Sequence, residues 1–459
     1  ASFNVLNYFT AYTNGGGTAN GCSLGGTVST ANCRGANNAA EFTRQQTKIV
    51  EAMAAIDADV LGLMEIQNNG NTAAANLVAA LNARVGAGTY VTTSLPSDTG
   101  SDAIRVAMIY KPARLVPVGA AVSDNHTVNN RPTLAQTFSL TNGETFTLLV
   151  NHFKSKGSCP TAGATNNNGN ADSGDGQGCW NGLRSQQAQR LRDFVAERLT
   201  ATRSSDALLI GDLNAYAQED PILALTSSGF ADQVQRFNAF GYSYVFDGGA
   251  GRLDHAIANT SMAAKVNRVV HWHINADEAA VTDYNTEFKA PALSCGAGGT
   301  SLCPSDPFTA TPYRSSDHDP VVVGLNLYNQ VWTGSAGADV ITAAAGDDLI
   351  WASVGADLLT GGAGSNGFAY RSMREAGGTI TDFVPGKDRI DLSALLASIN
   401  TASSTALGRG VVRLVAAGAH TLLQIDTDGS AGPVQPRTLV TLRHVTPASI
   451  VPLRDLGLN

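Results

Sequence analysis

Long apolar runs are missing from this chain: none approaches the roughly 18–20 residues that cross a bilayer, which argues against a transmembrane helix. Positive charge is in short supply. The 30 Lys+Arg stand against 38 Asp+Glu, a net charge of -8, so strong non-specific attraction to polyanions is not expected. A nucleic-acid substrate would need metal ions and a local basic patch to offset the repulsion. The sequence has no C-x-x-C pair and no His-x-x-x-His, which removes the usual zinc spacings. It also lacks a charged-then-apolar leader. It opens on Ser2-Phe3-Asn4-Val5-Leu6, already a strand pattern, which leaves room for a leader or an upstream domain ahead of it.

What is present suits a globular protein of 459 residues, with about two to three domains as the starting expectation. Six cysteines fall into three local pairs, Cys22 with Cys33, Cys159 with Cys179 and Cys295 with Cys303, each in a Gly/Asn/Ser/Thr-rich segment. They read as three loop-closing disulfides and an oxidising, extracellular destination. Six unrelated free thiols are the alternative.

Apolar residues recur at helical spacing from Glu41 to Asp57, and the strand Val60–Met64 follows, delivering Glu65 at its end. Residues 76–83 predict a second helix; Arg105–Tyr110, Thr133–Leu140 and Phe146–Val150 predict strands, the last ending on Asn151-His152. A long polar loop from about Lys154 to Asn181 precedes a helix with Leu191, Phe194, Val195 and Leu199 on its inner face. Ala207–Ile210 is a strand ending on Gly211-Asp212-Leu213-Asn214. Arg252–Ala258 is another, and Ser315-Ser316-Asp317-His318-Asp319-Pro320 leads into the buried run Val321–Leu325. Strands alternate with only a few helices, which favours a mixed sheet system over a purely parallel α/β fold.

After Leu327 the texture changes to units of nine starting at Gly334, Ala343, Ala352 and Gly361. Glycine holds the fourth place (Gly337, Gly346, Gly355, Gly364); Asp339, Asp348, Asp357 or Asn366 holds the sixth. Such a repeat can wind as a parallel β-roll whose carboxylates meet calcium between coils. The units resemble the calcium-binding nonapeptides of RTX proteins in eroded form, and the downstream Ile380–Phe383 and Asp388–Leu392 resemble the C-terminal region of type I secreted enzymes. A metal-free β cap is the alternative. The division expected is 1–328 for a catalytic domain and 329–459 for the repeat domain.

Polar residues stranded at sheet ends are Asn4, Glu65, His152, Asp212, Asn214, Asp254, Asp317 and His318. Hard oxygen donors with two imidazoles suit magnesium or manganese, and phosphodiester hydrolysis asks for such a cation beside a base. The Asp317-His318 pair alone could be no more than a capped turn. Six motifs, Phe3-Asn4-Val5, Leu63-Met64-Glu65, Asn151-His152-Phe153-Lys154-Ser155, Gly211-Asp212-Leu213-Asn214, Arg252-Leu253-Asp254-His255 and Ser316–Pro320, stand in the order seen in the endonuclease/exonuclease/phosphatase superfamily. Within it, the cysteine-bearing loops look most like bacterial extracellular nucleases.

The resemblance implies an α/β (α+β) fold of two packed mixed sheets flanked by helices, a four-layer sandwich, followed by the small β-roll. It implies that Asn4, Glu65 and Asp317 bind Mg2+ or Mn2+. Asp212 and Asn214 would hold the phosphate and the attacking water, or share a second metal. His318, oriented by Asp254, would be base or phosphate contact, and His152 would serve the leaving oxygen. Arg105, Lys154, Lys156, Arg184 and Arg190 are candidate phosphate contacts, with surface ion pairs as the alternative. His271 and His273 read as solvated strand residues and His255 as structural. Few aromatics interleave the basic groups, so base-specific reading is not expected, and no exposed aromatic insertion suggests membrane docking.

The expected function is a secreted, metal-dependent nuclease of low sequence preference, acting on DNA or RNA as a monomer without stable membrane association. Two others stay open: a phospholipid-head-group phosphodiesterase of the same superfamily, and a calcium-binding matrix or adhesion protein with a vestigial site.

Overall fold

The computed structural model describes residues 1–140, 144–161, 168–286, 306–328 and 330–458. The chain divides into two compact units, one reaching to Asn326 and one from Leu327 onward.

In the first unit two six-membered strand paths form mixed sheets. One runs in the order Val266–His271, Val321–Leu325, Ser2–Tyr8, Val60–Gln67, Ile104–Tyr110, Val91–Thr92. The other runs Phe230–Asp232, Asp254–Asn259, Ala207–Asp212, Thr145–His152, Leu134–Leu140, Leu115–Pro117, with Val122–Ser123 also on Leu134–Leu140. Each contains one parallel pair, Ser2–Tyr8 with Val60–Gln67 and Thr145–His152 with Ala207–Asp212.

Alternation along each strand decides what faces what. Phe3, Val5, Leu61 and Leu63 point to one side, where they pack with Ile49, Met53, Leu77 and Leu81 of the helices Ala39–Ile56 and Thr72–Val85. Leu149 and Leu209 of the second sheet pack with Leu191, Phe194 and Val195 of the helix Asn181–Thr202. The remaining faces meet each other and complete a four-layer α/β sandwich. The sheets approach so closely that a Cβ on Gly62 would lie 2.6 Å from Val150 Cγ2 and 2.8 Å from Ile210 Cδ1.

The first helix begins two residues before its apolar pattern because Asn38 accepts hydrogen bonds from the Ala40 and Glu41 N–H groups. Disulfides close Cys22–Cys33 and Cys159–Cys179, and Cys295 and Cys303 lie outside the described residues. Among the described residues no helix is long and apolar enough to cross a membrane.

The second unit opens as a parallel roll. Gln330–Thr333, Asp348–Trp351, Gly367–Ala369 and Arg389–Asp391 form one sheet; Val340–Thr342, Leu358–Thr360 and Gly378–Ile380 begin another, which continues into Arg437–Leu442, His420–Ile425 and Val412–Ala417. Two nine-residue units make one coil, since Gln330 pairs with Asp348 and Val340 with Leu358. The eighth residue of every unit, Ile341, Ile350, Leu359 and Phe368, therefore points into the core. A Cβ on Gly364 would sit 2.0 Å from the Gly346 carbonyl oxygen, so the coil spacing itself requires glycine there.

Candidate active site

Strand register assembles one half of the site. His152 is paired with Asp212 across the parallel strands, and Asp212 with Asp254 across the antiparallel ones. Three polar side chains thus stand in a row on the face that meets the first sheet. His152 Nε2 lies 3.5 Å from Asp212 Oδ2.

The first sheet supplies the other half through two irregularities. Its parallel register slips between Asn4 and Tyr8, and the neighbouring pair slips between Leu63 and Ile66. Leu6, Asn7 and Glu65 all take left-handed backbone, with φ of 50°, 50° and 65°. Non-glycine residues hold that conformation only where surroundings enforce it. Here the Asn7 N–H donates to Glu65 Oε2 at 2.9 Å, and Gln45 Nε2 donates to the Leu6 carbonyl at 2.6 Å. Glu65 therefore sits inside the strand Val60–Gln67 and not at its end, as alternation alone predicts, because the bulge turns it inward.

Asn4 Nδ2 bridges the halves, 3.3 Å from Glu65 Oε1 and 3.4 Å from Asp212 Oδ2. His318 comes from the turn before Val321–Leu325. Its Nδ1 lies 2.6 Å from Asp254 Oδ2 and its Nε2 3.9 Å from Asp212 Oδ2. That turn is pinned by Ser316 Oγ, which donates to the Asn4 carbonyl at 2.6 Å, and by Asn275 Nδ2 on the His318 carbonyl at 2.7 Å. Asp317 is half-buried. Asn214, at φ 47°, donates its N–H to Asp212 Oδ1 at 2.8 Å and its side-chain amide to the Phe153 carbonyl at 3.2 Å.

Burial dominates the electrostatics. It raises the Asp212 carboxyl to about 7, with His318 opposing the rise. It raises Glu65 too, and Asp317 adds to the rise. Burial works against charge on His318, yet the carboxylates of Asp254, Asp212 and Asp317 outweigh it and hold that imidazole well above its ordinary value. His152 goes the other way, pushed well down by burial, by the Arg131 guanidinium and by His318. One imidazole is thus kept charged and the other neutral.

Asp212, Asp254 and His318 lie close enough to share a metal ion. The 2.6 Å separation of His318 Nδ1 from Asp254 Oδ2 is that of a hydrogen bond, which leaves His318 Nε2 and the unpartnered Asp254 Oδ1 to face a cation. Glu65 and Asp317 adjoin that group: Asn4 Nδ2 reaches both Glu65 Oε1 and Asp212 Oδ2, and the Asp317 charge adds to the rise of the Glu65 carboxyl. Among the described residues no lysine or arginine side chain is bonded to the carboxylates of Glu65, Asp212 and Asp317, and the Asn4 amide is a neutral donor between the first two. Buried carboxylates without a paired cation fit a divalent ion.

Two expected phosphate contacts are corrected. Arg105 is buried, with its guanidinium on the carbonyls of Gly70 and Val106 and on Asn71 Oδ1. Arg184 is fully buried on the carbonyls of Lys154, Cys179 and Gln177. Both have spent their donors on structure. Arg190 is likewise paired, with Asp124 and Glu197. Lys154 remains half-buried, its Nζ 4.6 Å from the Trp180 ring centroid. His271 is buried with Nε2 3.1 Å from the Asp254 carbonyl oxygen, not solvated. His273 faces Asp319 Oδ2 at 2.8 Å, while Asp319 Oδ1 accepts the N–H groups of Ile274, Asn275 and Ala276. His255 is buried on the Ala215 carbonyl.

Arg131 and Tyr244 escape the motif reading. Arg131 is buried and donates to the carbonyls of His152 and Phe153; the Tyr244 ring centroid lies 4.7 Å from that of His318. An arginine just ahead of a buried strand, and alternating aromatics before Asp247-Gly248, were the available signals.

In the roll, Asp339 Oδ2 accepts from Ser335 and Ser353, and Asp357 accepts from the Asp339 and Ser353 N–H groups. Asp347 Oδ2 is buried without a hydrogen bond, the buried Asp348 carboxylate meets the Gln330 and Ala344 N–H groups and the Trp332 indole only outside good hydrogen-bond geometry, and burial raises both carboxyls. Such poorly satisfied oxygens fit a cation.

A carboxyl at about 7 in the fold against an ordinary 3.8 favours the fold while protonated. That contribution is full below the ordinary value and lost as pH rises through about 7. In metal-free buffer, the melting temperature of Asp212→Asn should gain on wild type as pH is raised from about 4 to about 8. A difference that stays flat over that interval contradicts the burial account.

The profile of the Endonuclease/Exonuclease/phosphatase family matches residues 29–318, and that of the RTX calcium-binding nonapeptide repeat matches residues 333–367. No curated protein matches. Among solved structures, the human Nocturnin catalytic domain with bound sulfate is 18% identical, covering 49% of this chain and 77% of that one at a TM-score of 0.35. A mannosyl-6-phosphatase of Bacteroides thetaiotaomicron is 16% identical, covering 62% and 91% at 0.40. An endonuclease/exonuclease/phosphatase family protein of Leptotrichia buccalis is 14% identical, covering 62% and 93% at 0.36. A profile match that runs over more than half of the sequence, and ends on the imidazole around which the site is built, makes this chain a member of the endonuclease/exonuclease/phosphatase family.

Proposed function

We propose that this phosphoesterase is a secreted nuclease, of the bacterial extracellular kind, that hydrolyses phosphodiester bonds of DNA, and of RNA as a second substrate, with little sequence preference. The observation that carries the reading is the facing of two unlike halves. Glu65 and Asp317 supply acidic oxygen on one side, with the Asn4 amide nitrogen reaching from Glu65 to Asp212, and the Asp254-held His318 and the neutral His152 stand on the other.

A magnesium or manganese ion held by Asn4, Glu65 and Asp317 would draw charge from a non-bridging phosphate oxygen. The chain's own groups do the rest. Asp254 fixes the His318 ring so that Nε2 faces the reacting phosphate. Asp212 and Asn214 orient the attacking water. As the water oxygen bonds to phosphorus and the bond to the leaving oxygen breaks, one imidazole takes the water's proton and the other returns a proton to the leaving oxygen. Lys154 is the basic group placed to meet a neighbouring phosphate.

The RTX repeats and the disulfides support an extracellular setting. Calcium would be held in the roll by Asp339, Asp348 and Asp357. The catalytic domain is proposed to act as a monomer.

Incubation with circular DNA, linear DNA and RNA in magnesium, with and without EDTA, tests the function. Cutting that EDTA abolishes is expected, and Glu65→Gln and His318→Ala should each lose about a hundredfold or more in rate. Intact substrates, or variants that cut as fast as wild type, overturn the reading. A second outcome concerns the roll: EGTA should lower the melting temperature of wild type and leave Asp348→Ala unmoved, and an equal shift in both would remove calcium from Asp348.

A further inference from the structure

Beside His318 the chain forms a hairpin that none of the six motifs includes. Its strands are Tyr244–Phe246 and Gly249–Gly251, joined at Asp247 and Gly248, both with positive φ (48° and 78°), the two-residue turn that Asp-Gly favours. Tyr244 is paired with Gly251 and Phe246 with Gly249. Paired residues share a face, so each aromatic stands opposite a residue with no side chain.

The bare positions border space of one kind. A Cβ on Gly251 would lie 2.3 Å from Tyr216 Cε1, so the tyrosine ring lies against that strand. A Cβ on Gly249 would meet nothing nearer than the Phe246 carbonyl oxygen at 3.4 Å. Between Tyr216, Tyr242, Phe240 and Phe246 opens a cleft of about 640 Å³. Phe240 is 95% exposed and Phe246 68%, a cost in water that a monomer gains nothing by bearing.

The lining selects the occupant. It contains no carboxylate in a chain of net charge -8, and its polar members are Gln218, Gln235 and Arg252. No leucine, isoleucine or valine lines it, so an acyl chain would find rings and amides in place of the aliphatic wall it packs against best. The cleft neighbours the catalytic centre along the chain: Tyr216 follows Asn214 by two residues, and the strand bearing Phe246 also bears Tyr244, whose ring centroid lies 4.7 Å from that of His318. Aromatic walls with amide edges suit a flat heterocycle attached to a phosphate.

We propose that this cleft is a stacking subsite for a nucleobase of the substrate strand, next to the phosphodiester being cut. It rests on the nuclease reading above, and it predicts that an enzyme without sequence preference still requires a base.

The test compares cleavage, in magnesium, of a labelled single-stranded oligodeoxynucleotide and of a strand of equal length and charge whose nucleosides around the cut are replaced by abasic tetrahydrofuran residues. Wild type, Gly249→Leu, which fills the cleft at a position with ordinary backbone, and Phe240→Ala/Phe246→Ala, which removes its rings, are measured on both. Wild type should favour the base-bearing strand, and both variants should lose about fivefold or more in kcat/KM on it, with melting temperatures and rates on the abasic strand unchanged.

Equal cutting of the two strands by wild type overturns the subsite and leaves the nuclease reading standing. A variant loss of equal size on both strands overturns it in favour of a structural role. If Phe240→Ala/Phe246→Ala cuts both strands as wild type does but no longer sediments with phosphatidylcholine vesicles, the rings serve a lipid surface and the subsite is overturned. Failure of wild type to cut either strand refutes the nuclease reading itself, and the subsite with it.

Discussion

Carboxylates that converge with no lysine or arginine bonded to them, among the described residues, are the constraint around which the catalytic unit is arranged. Glu65 and Asp212 are brought to within hydrogen-bonding reach of one Asn4 amide nitrogen, and their carboxyls are raised by burial. A fold driven only by stability would separate such groups or pair them with arginine. Here the Arg131 guanidinium, whose charge is felt by both, is turned to the carbonyls of His152 and Phe153. Three left-handed non-glycine residues, Leu6, Asn7 and Glu65, hold the acidic side in place. Each costs on the order of 1 kcal/mol or more, which the packed layers around them sustain.

The same logic recurs in the repeat unit at lower cost. Its geometry follows from a nine-residue period in which glycine permits the coils to approach and the eighth residue fills the core. The sixth-place carboxylates are then stacked by the winding. Asp339 and Asp357 find serine and backbone partners in good geometry, whereas the buried Asp348 carboxylate meets the Gln330 and Ala344 N–H groups and the Trp332 indole only in poor geometry. A repeat that matches the RTX calcium-binding profile is thus uneven in how strongly its sites call for a cation.

Much of this was legible in the chain. Apolar periodicity located the main helices and strands, and polar residues closing buried runs marked His152, Asp212 and His318. Glu65 was expected at the end of its strand and lies inside it, because a bulge that breaks alternation leaves no trace in a pattern of period two. Arg105 and Arg184 failed as phosphate contacts for a different reason: distance along the chain says nothing about whether a guanidinium's donors are already taken by carbonyls. The Tyr244–Phe246 hairpin was written in Asp247-Gly248 and its alternating aromatics, yet its meaning depends on Tyr216 and Phe240, which only folding brings beside it. Cys295 and Cys303, expected as a third disulfide, lie outside the described residues.

The central claim is that the acidic side of the site holds the cation while the Asp254–His318 pair stays a hydrogen bond. Anomalous scattering from crystals grown with manganese addresses it directly. The ion should lie in contact with Glu65 and Asp317, with His318 Nδ1 still on Asp254. A manganese ion bound instead by His318 and Asp254 would contradict the account.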